Sequence, residues 1–226
     1  MANVTIMLGK KIKNNLMKKK NLRKKMHQYT IYKGKMIGNF ESLYKDFNDP
    51  FLQTKKEKFE TSKKAIMNYC ELLQSKKKKK LKTLEIGCGF GQLSNELAKL
   101  KFDSYGTDIS KTAINKAKNK GLAKFYESSF LNFKLYKKIN PDIFILAEIT
   151  WYVLPDLKKF IEFLKKNFKT KHIIHTLAIY YPGEQKYGKR YFTNLKGILR
   201  FFNMKYLEYG EKWTDEEGRT FFLAKI

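Results

Sequence analysis

Leu84-Glu85-Ile86-Gly87-Cys88-Gly89-Phe90-Gly91-Gln92-Leu93-Ser94 decides the fold. An apolar run from Leu81 to Ile86 stops in a glycine cluster, after which Leu93, Leu97 and Leu100 recur at helical spacing. The stretch reads as strand, tight loop, helix. Glycines at 87, 89 and 91 permit dihedrals closed to other residues and a close approach to a ligand, while the free amides of the helix start face the same space. A second strand over 103–106 delivers Asp108 at its end, where a carboxylate accepts ribose hydroxyls. Counted from Gly87, the sixth position is Gln92, so the spacing of a dinucleotide-binding loop fails. Glu85, two residues before the first glycine, would repel a pyrophosphate and suits a cationic group. The ligand implied is a nucleoside without phosphates and with positive charge.

S-adenosylmethionine fits that description, and at these residues the sequence resembles the class I S-adenosylmethionine-dependent methyltransferases. Their first motif has the form E-x-G-x-G-x-G and their second ends in an acidic residue; both stand here, at Glu85 to Gly91 and at Asp108. The resemblance runs over most of the chain from about Phe40. It implies an α/β, Rossmann-like fold with a mostly parallel seven-stranded sheet, a C-terminal antiparallel hairpin and helices on both faces. It implies that Glu85, Gly87, Gly89 and Gly91 lie near the methionine moiety, that Asp108 takes the ribose hydroxyls, and that Ile109 packs on the adenine. Phe130 matches a further adenine-packing position, whereas Ser129 stands where many relatives have Asp. The cofactor implied is S-adenosylmethionine, with S-adenosylhomocysteine as product, and no metal is implied.

From Lys82 onward, strand and helix patterns alternate: strands near 82–87, 103–107, 124–127, 142–147 and 172–178, helices near 91–100, 110–119, 155–167 and 193–202. Such alternation predicts a parallel sheet covered on both faces. The end differs, since Lys205 to Trp213 and Arg219 to Ile226 flank a turn and read as a hairpin on the sheet edge. Three regions are expected: a basic, flexible arm over 1–28, a helical cap over 29–80 and the methyltransferase domain over 81–226. Asn48-Asp49-Pro50 predicts a helix start, followed by an apolar stripe to Leu73.

Of the 226 residues, 48 are Lys or Arg and 21 Asp or Glu, a formal charge of +27. Such a charge admits nucleic-acid binding through phosphate contacts. Yet Arg, the better residue for bidentate recognition, occurs only at Arg23, Arg190, Arg200 and Arg219. A lysine-heavy solvated surface, an RNA- or DNA-binding surface, and attraction to an anionic substrate or membrane surface all stay open. The apolar runs are strand length, so no membrane span is expected, and the N-terminus lacks the continuous apolar region of a signal peptide. Cys70 and Cys88 are far apart and show no metal-ligand spacing, which points to a reducing, cytoplasmic compartment.

Acceptor chemistry belongs at the carboxyl ends of the strands, where two segments fall. In Ala147 to Pro155, Glu148 reads as a contact to the cofactor amine, as a base, or as a plain helix-start carboxylate. Trp151 and Tyr152 wall an acceptor pocket or simply pack. Neither an Asp/Asn-Pro-Pro-aromatic run nor a Pro-Cys pair stands here, which removes the best-marked nucleic-acid classes. The second segment, Thr176 to Thr193, is longer than a chain reversal needs and dense in aromatics, so it reads as a substrate lid. Tyr180, Tyr187, Arg190 and Tyr191 are its candidate acceptor contacts, with Arg190 and Lys189 able to hold a phosphate or carboxylate. His175 is the first candidate base because histidine titrates near neutrality; the alternative is a satisfied buried histidine. The W-Y-V-L-P run at 151–155 and the Q-K-Y-G-x-x-Y-F-T run at 185–193 look like a small-molecule subgroup, similar in outline to the nodulation N-methyltransferases and to glycan-cluster enzymes. The expectation is methyl transfer to oxygen or nitrogen of a small polar acceptor, such as a sugar or surface-glycan precursor. An RNA methyltransferase anchored by the basic arm and a non-catalytic cofactor-binding protein are the alternatives.

Overall fold

The computed structural model describes residues 25–53, 60–119, 121–214 and 217–226. The expected basic arm lies outside the described residues up to residue 24. From there the chain forms a small antiparallel hairpin, β1 (Ile31–Tyr32) and β2 (Lys35–Met36), then α1 (Phe40–Asp46) and α2 (Glu60–Ser75). The alternating part follows as β3 (Lys82–Ile86), α3 (Gln92–Lys99), β4 (Asp103–Asp108), α4 (Lys111–Lys118), β5 (Lys124–Glu127), α5 (Phe133–Ile139), β6 (Ile143–Ala147), α6 (Leu154–Asn167), β7 (His172–Ile179) and α7 (Leu195–Phe202). The chain closes with β8 (Lys205–Trp213) and β9 (Gly218–Lys225).

Seven strands form one sheet in the order β5-β4-β3-β6-β7-β9-β8. The strands from β3 to β7 run parallel, and β9 is antiparallel to both its neighbours. The order reverses between β3 and β6, the place where an open parallel sheet leaves a crevice at its carboxyl end. Successive side chains of β6 show why the sheet is covered twice. Phe144 and Leu146 join Leu157, Phe160, Ile161 and Leu164 of α6 on one face. Ile143 and Ile145 join Ile66, Tyr69, Cys70 and Leu73 of α2 on the other. An all-apolar strand is what two buried faces require. The outer edge is guarded differently: β8 carries Lys205 and Lys212 and a register shift between Tyr206 and Glu208, features that discourage further strand pairing.

Two expectations are corrected. A helix starts neither at Asn48 nor at Asp49. Asp49 Oδ1 does accept a hydrogen bond from the Gln53 amide at 2.7 Å, as a cap would, but Leu52 takes a left-handed φ of 53°, which ends the turn. Asn39 instead caps α1 by accepting from the Ser42 amide. The second correction is α5, which the alternation did not include. Asn132 caps it and it buries only Tyr136 and Ile139, too short a stripe to register as a period.

Candidate functional site

The glycine loop hangs from β4. Gly87 and Cys88 donate their amides to the Thr107 carbonyl at 2.7 and 2.9 Å, and Gly91, with φ of 68°, stands as the N-cap of α3. A Cβ on Gly91 would meet the Phe125 ring at 2.4 Å, so the loop packs as closely as glycine permits. Asp108 Oδ2 accepts from the Gly89 amide and Oδ1 from the Ser110 amide, each at 2.9 Å. These bonds fix the carboxylate at the strand end and leave it lone pairs for two further donors. Burial, the largest influence, raises its pKa against the lowering effect of those amides. Glu85 lies behind the loop, 5% exposed, with Oε2 accepting from the Ser94 amide and hydroxyl at 3.0 and 2.5 Å. Burial again dominates and pushes its carboxyl up to about 7. Ile109 is 56% exposed although Asp108 and Ser110 on either side are buried, so the backbone holds an apolar side chain out in water beside the carboxylate. Ser129 is exposed nearby, and β5 is tied in through the Ser128 amide on the Asp108 carbonyl. Phe130 turns the other way, toward α6, and packs on Phe160 at 4.7 Å between centroids.

The N-terminal segment closes over this loop. Glu41 of α1 accepts from the Ser110 hydroxyl at 2.7 Å and from the Thr112 amide and hydroxyl at 3.1 and 2.8 Å. The Ser110 bond is the main reason its carboxyl falls to about 2. Tyr44 touches both Phe51 and Phe90, and Tyr152 lies between Phe40 and Phe51. Gln53 Oε1 accepts from the Phe90 amide at 3.0 Å, and its carboxamide covers Gly89 so closely that a Cβ there would stand 2.4 Å away. Neither Glu41 nor Gln53 carried a sequence signal, because both act across long stretches of chain.

At the end of β6, Glu148 takes a φ of 62°, an uncommon conformation for a residue with a side chain. Its carboxylate is fully engaged: Oε1 accepts from the Ser62 hydroxyl at 2.6 Å and pairs with Arg219 Nη1 at 3.1 Å, while Oε2 accepts from the Ala178 amide at 2.7 Å. These bonds tie α2, β6, β7 and β9 together beneath the site. The strained turn sends Ile149 against Gly87, where a Cβ would meet it at 2.5 Å. His175, the expected base, has 0% exposure. Its ring stacks on Phe222, leans on Phe202, and shares a 2.8 Å hydrogen bond between Nε2 and Thr150 Oγ1. Burial lowers its pKa to about 3. The structure therefore places His175 in the core, with no ring face open to a ligand.

The long connection after β7 folds back over Trp151. Trp151 donates Nε1–H to the Ala178 carbonyl at 2.7 Å and contacts Tyr180 and Phe192. Buried Gln185 staples the connection by donating to the Tyr187 and Phe192 carbonyls, both at 2.9 Å. A Gln within a tyrosine-rich loop was the only hint of this role. Tyr187 and Tyr191 pack inward, Tyr180 is 46% exposed, and Arg190 lies at the surface over the Tyr191 ring. Among the described residues, no cluster of His, Cys, Asp and Glu is placed to hold a metal, and no helix is long and apolar enough to cross a membrane.

Residues 77–198 match the family described as a methyltransferase domain. No curated protein matches the sequence. Among solved structures, magnesium protoporphyrin IX methyltransferase from Synechocystis PCC 6803, with bound S-adenosylhomocysteine, is similar at 16% identity and a TM-score of 0.59, over 90% of this chain and 98% of that one. The N-methyltransferase NodS from Bradyrhizobium japonicum WM9, in complex with S-adenosylhomocysteine, is similar at 15% identity and a TM-score of 0.58, over 79% and 92%. The bifunctional kinase-methyltransferase WbdD gives 14% identity and a TM-score of 0.60 over 90% of this chain, which spans only 46% of that protein. At these identities the likeness is one of fold.

Proposed function

The chain belongs to the methyltransferase domain family, and on that premise we propose that it transfers the methyl group of S-adenosylmethionine to an oxygen or nitrogen of a small polar acceptor, such as a sugar or glycan precursor. The observation that carries the reading is the arrangement at the end of β4. A carboxylate held by two loop amides stands next to an apolar side chain kept 56% exposed, with three glycine backbones alongside. A ribose and a flat base require a hydrogen-bond acceptor and an adjacent apolar surface in that order. Two of the similar structures hold S-adenosylhomocysteine, which supports the same ligand here.

When bound, the cofactor supplies an already activated methyl group, so the protein's task is alignment and exclusion of water, which together supply about 7 to 11 kcal/mol in well-oriented reactions. Asp108 binds the ribose hydroxyls, and Ile109 with Ser129 borders the adenine. Glu85, raised to about 7, sits behind the loop and gives its negative charge up readily when no cation is near. The segment from Phe40 to Gln53 shields the loop from solvent, and Gln53 lies where it must adjust to any molecule resting on Gly89. Tyr152, against Phe40, and Trp151, against Tyr180, are the aromatics proposed to wall the acceptor pocket. With His175 enclosed and Glu148 paired to Arg219, neither expected base is free to take a proton from an acceptor, so an acceptor that needs no strong base, such as an amine, suits the site best.

The test is turnover with methyl-labelled S-adenosylmethionine against a panel of amino sugars, hydroxylated sugars, their phosphates and RNA. Release of S-adenosylhomocysteine with a labelled small acceptor is expected. Labelling of RNA alone would replace this reading with that of an RNA methyltransferase, and cofactor binding with no transfer to any acceptor would favour a non-catalytic protein.

A further inference from the structure

Beside Gly188, which packs on Trp151, lies a pocket of about 300 Å³ built from three separate parts of the chain. Gly34 comes from the turn between β1 and β2, Pro155 from the first turn of α6, and Tyr187, Lys189, Arg190 and Tyr191 from the connection after β7. Both charged side chains in its lining are cations. Asp156, the first-turn acid of α6, is not part of the lining.

Arg190 is the residue that gives the pocket its chemistry. Of 48 basic residues only four are arginines, so an arginine is a departure from this chain's default cation. One of them, Arg219, is half of a buried ion pair with Glu148. Arg190 has no carboxylate within ion-pair distance among the described residues. Its guanidinium is instead held in place by the neighbouring ring: it lies 5.1 Å from the Tyr191 centroid, and Nη2 donates to the Tyr191 hydroxyl at 3.2 Å. A planar fork that is oriented but not neutralised is suited to an oxyanion, which it meets with two parallel hydrogen bonds. One further feature adds to it. Lys189 supplies a second cation on the same wall.

The pocket is joined to the glycine loop by a run of packed residues. Gly188 packs so tightly on Trp151 and Leu154 that a Cβ would stand 3.0 and 2.6 Å from them, Tyr152, next in chain to Trp151, touches the Phe40 and Phe51 rings, and Phe51 reaches Phe90 of the loop through Tyr44. We propose that this pocket is the anion subsite for the acceptor, and that the molecule methylated carries a phosphate or carboxylate held by Arg190 and Lys189. The proposal rests on the reading of the chain as a small-molecule methyltransferase and names the class of acceptor.

The experiment is a titration of nitrogen-labelled full-length protein with inorganic phosphate, glycerol phosphate, glycerate and neutral glycerol, following the amide signals of Gly34 and Gly188 and the Trp151 indole. Saturable shifts at these three positions with the anions and not with glycerol are expected. In Arg190→Met, and also in Arg190→Lys, which keeps the charge but loses the fork, affinity should fall about tenfold or more, the usual effect of losing a hydrogen bond to a charged group. Lys64→Met, at an exposed i,i+4 pair on α2, serves as the charge control and should leave the anion affinity unchanged. Tighter binding of glycerol phosphate than of glycerate assigns the phosphate source, and the reverse order assigns the carboxylate. Shifts that do not saturate, or equal losses in Arg190→Met and Lys64→Met, overturn the proposal. Calorimetry of S-adenosylhomocysteine on the same samples separates the two levels: if it binds while the anions do not, the subsite fails alone, and if it does not bind, the methyltransferase reading fails.

Discussion

Two buried ionisable groups pull the stability of this protein in opposite directions as pH falls, and single substitutions separate them. His175 is enclosed, and burial lowers its pKa from an ordinary 6.5 to about 3. Because the folded value is below the unfolded one, its contribution is present above pH 6.5 and is lost as pH falls toward 3. Glu85 is the reverse case, with burial raising its pKa from 4.5 to about 7. Its contribution is present below pH 4.5 and is lost as pH rises through 7. Between pH 7 and pH 5 these shifts correspond to a loss of about 2 kcal/mol from His175 and a gain of about 2 kcal/mol from Glu85, so in the wild type they nearly cancel. Urea unfolding followed by circular dichroism at several pH values reads the balance. Relative to wild type, His175→Phe should gain about 2 kcal/mol on going from pH 7 to pH 5, because the acid-sensitive group is gone. Glu85→Gln should lose a similar amount over the same range. Taking differences between variant and wild type removes all other titrating groups. Differences that do not change with pH, or that have the same sign in both variants, would refute the burial of these two side chains.

Gly91→Ala places a methyl group 2.4 Å from the Phe125 ring at a left-handed position and should cost about 3 kcal/mol, measured as a lower urea midpoint. Arg219→Met strips Glu148 of its cation where the two side chains are 10% and 17% exposed, and a loss of about 3 kcal/mol is expected. Pairing it with Glu148→Gln should restore part of that loss. Cys70 and Cys88 are buried, and burial raises both thiols, so neither should react with iodoacetamide in the folded protein; mass spectrometry before and after denaturation checks this.

What could be read in the sequence follows from how far each interaction reaches along the chain. The glycine loop and its flanking strand and helix are local, so Leu84 to Ser94 announced β3, the loop and α3 together. The C-terminal hairpin was equally visible because its two strands flank one turn. The interactions that close the site are not local. Ser62 reaches Glu148 across 86 residues, Glu41 reaches Ser110 across 69, and Gln53 reaches Phe90 across 37. None belongs to a motif, and each depends on where the sheet brings the elements. His175 shows the converse. Its residue type suggested chemistry, but it stands in a strand buried on both faces, and the core formed around it by Phe202 and Phe222 comes from distant sequence. Arg190 was visible as a rare residue type, whereas the turn at Gly34 that completes its pocket was not.

The most direct measurement is calorimetric titration of the full-length protein with S-adenosylhomocysteine, for the wild type and for Asp108→Ala. Saturable one-to-one binding by the wild type is predicted, weakened by about 1.5 to 3 kcal/mol in the variant, the range for hydrogen bonds to a charged acceptor. No binding by the wild type, or equal affinity in the two proteins, would contradict the assignment of the β4 end as the cofactor site.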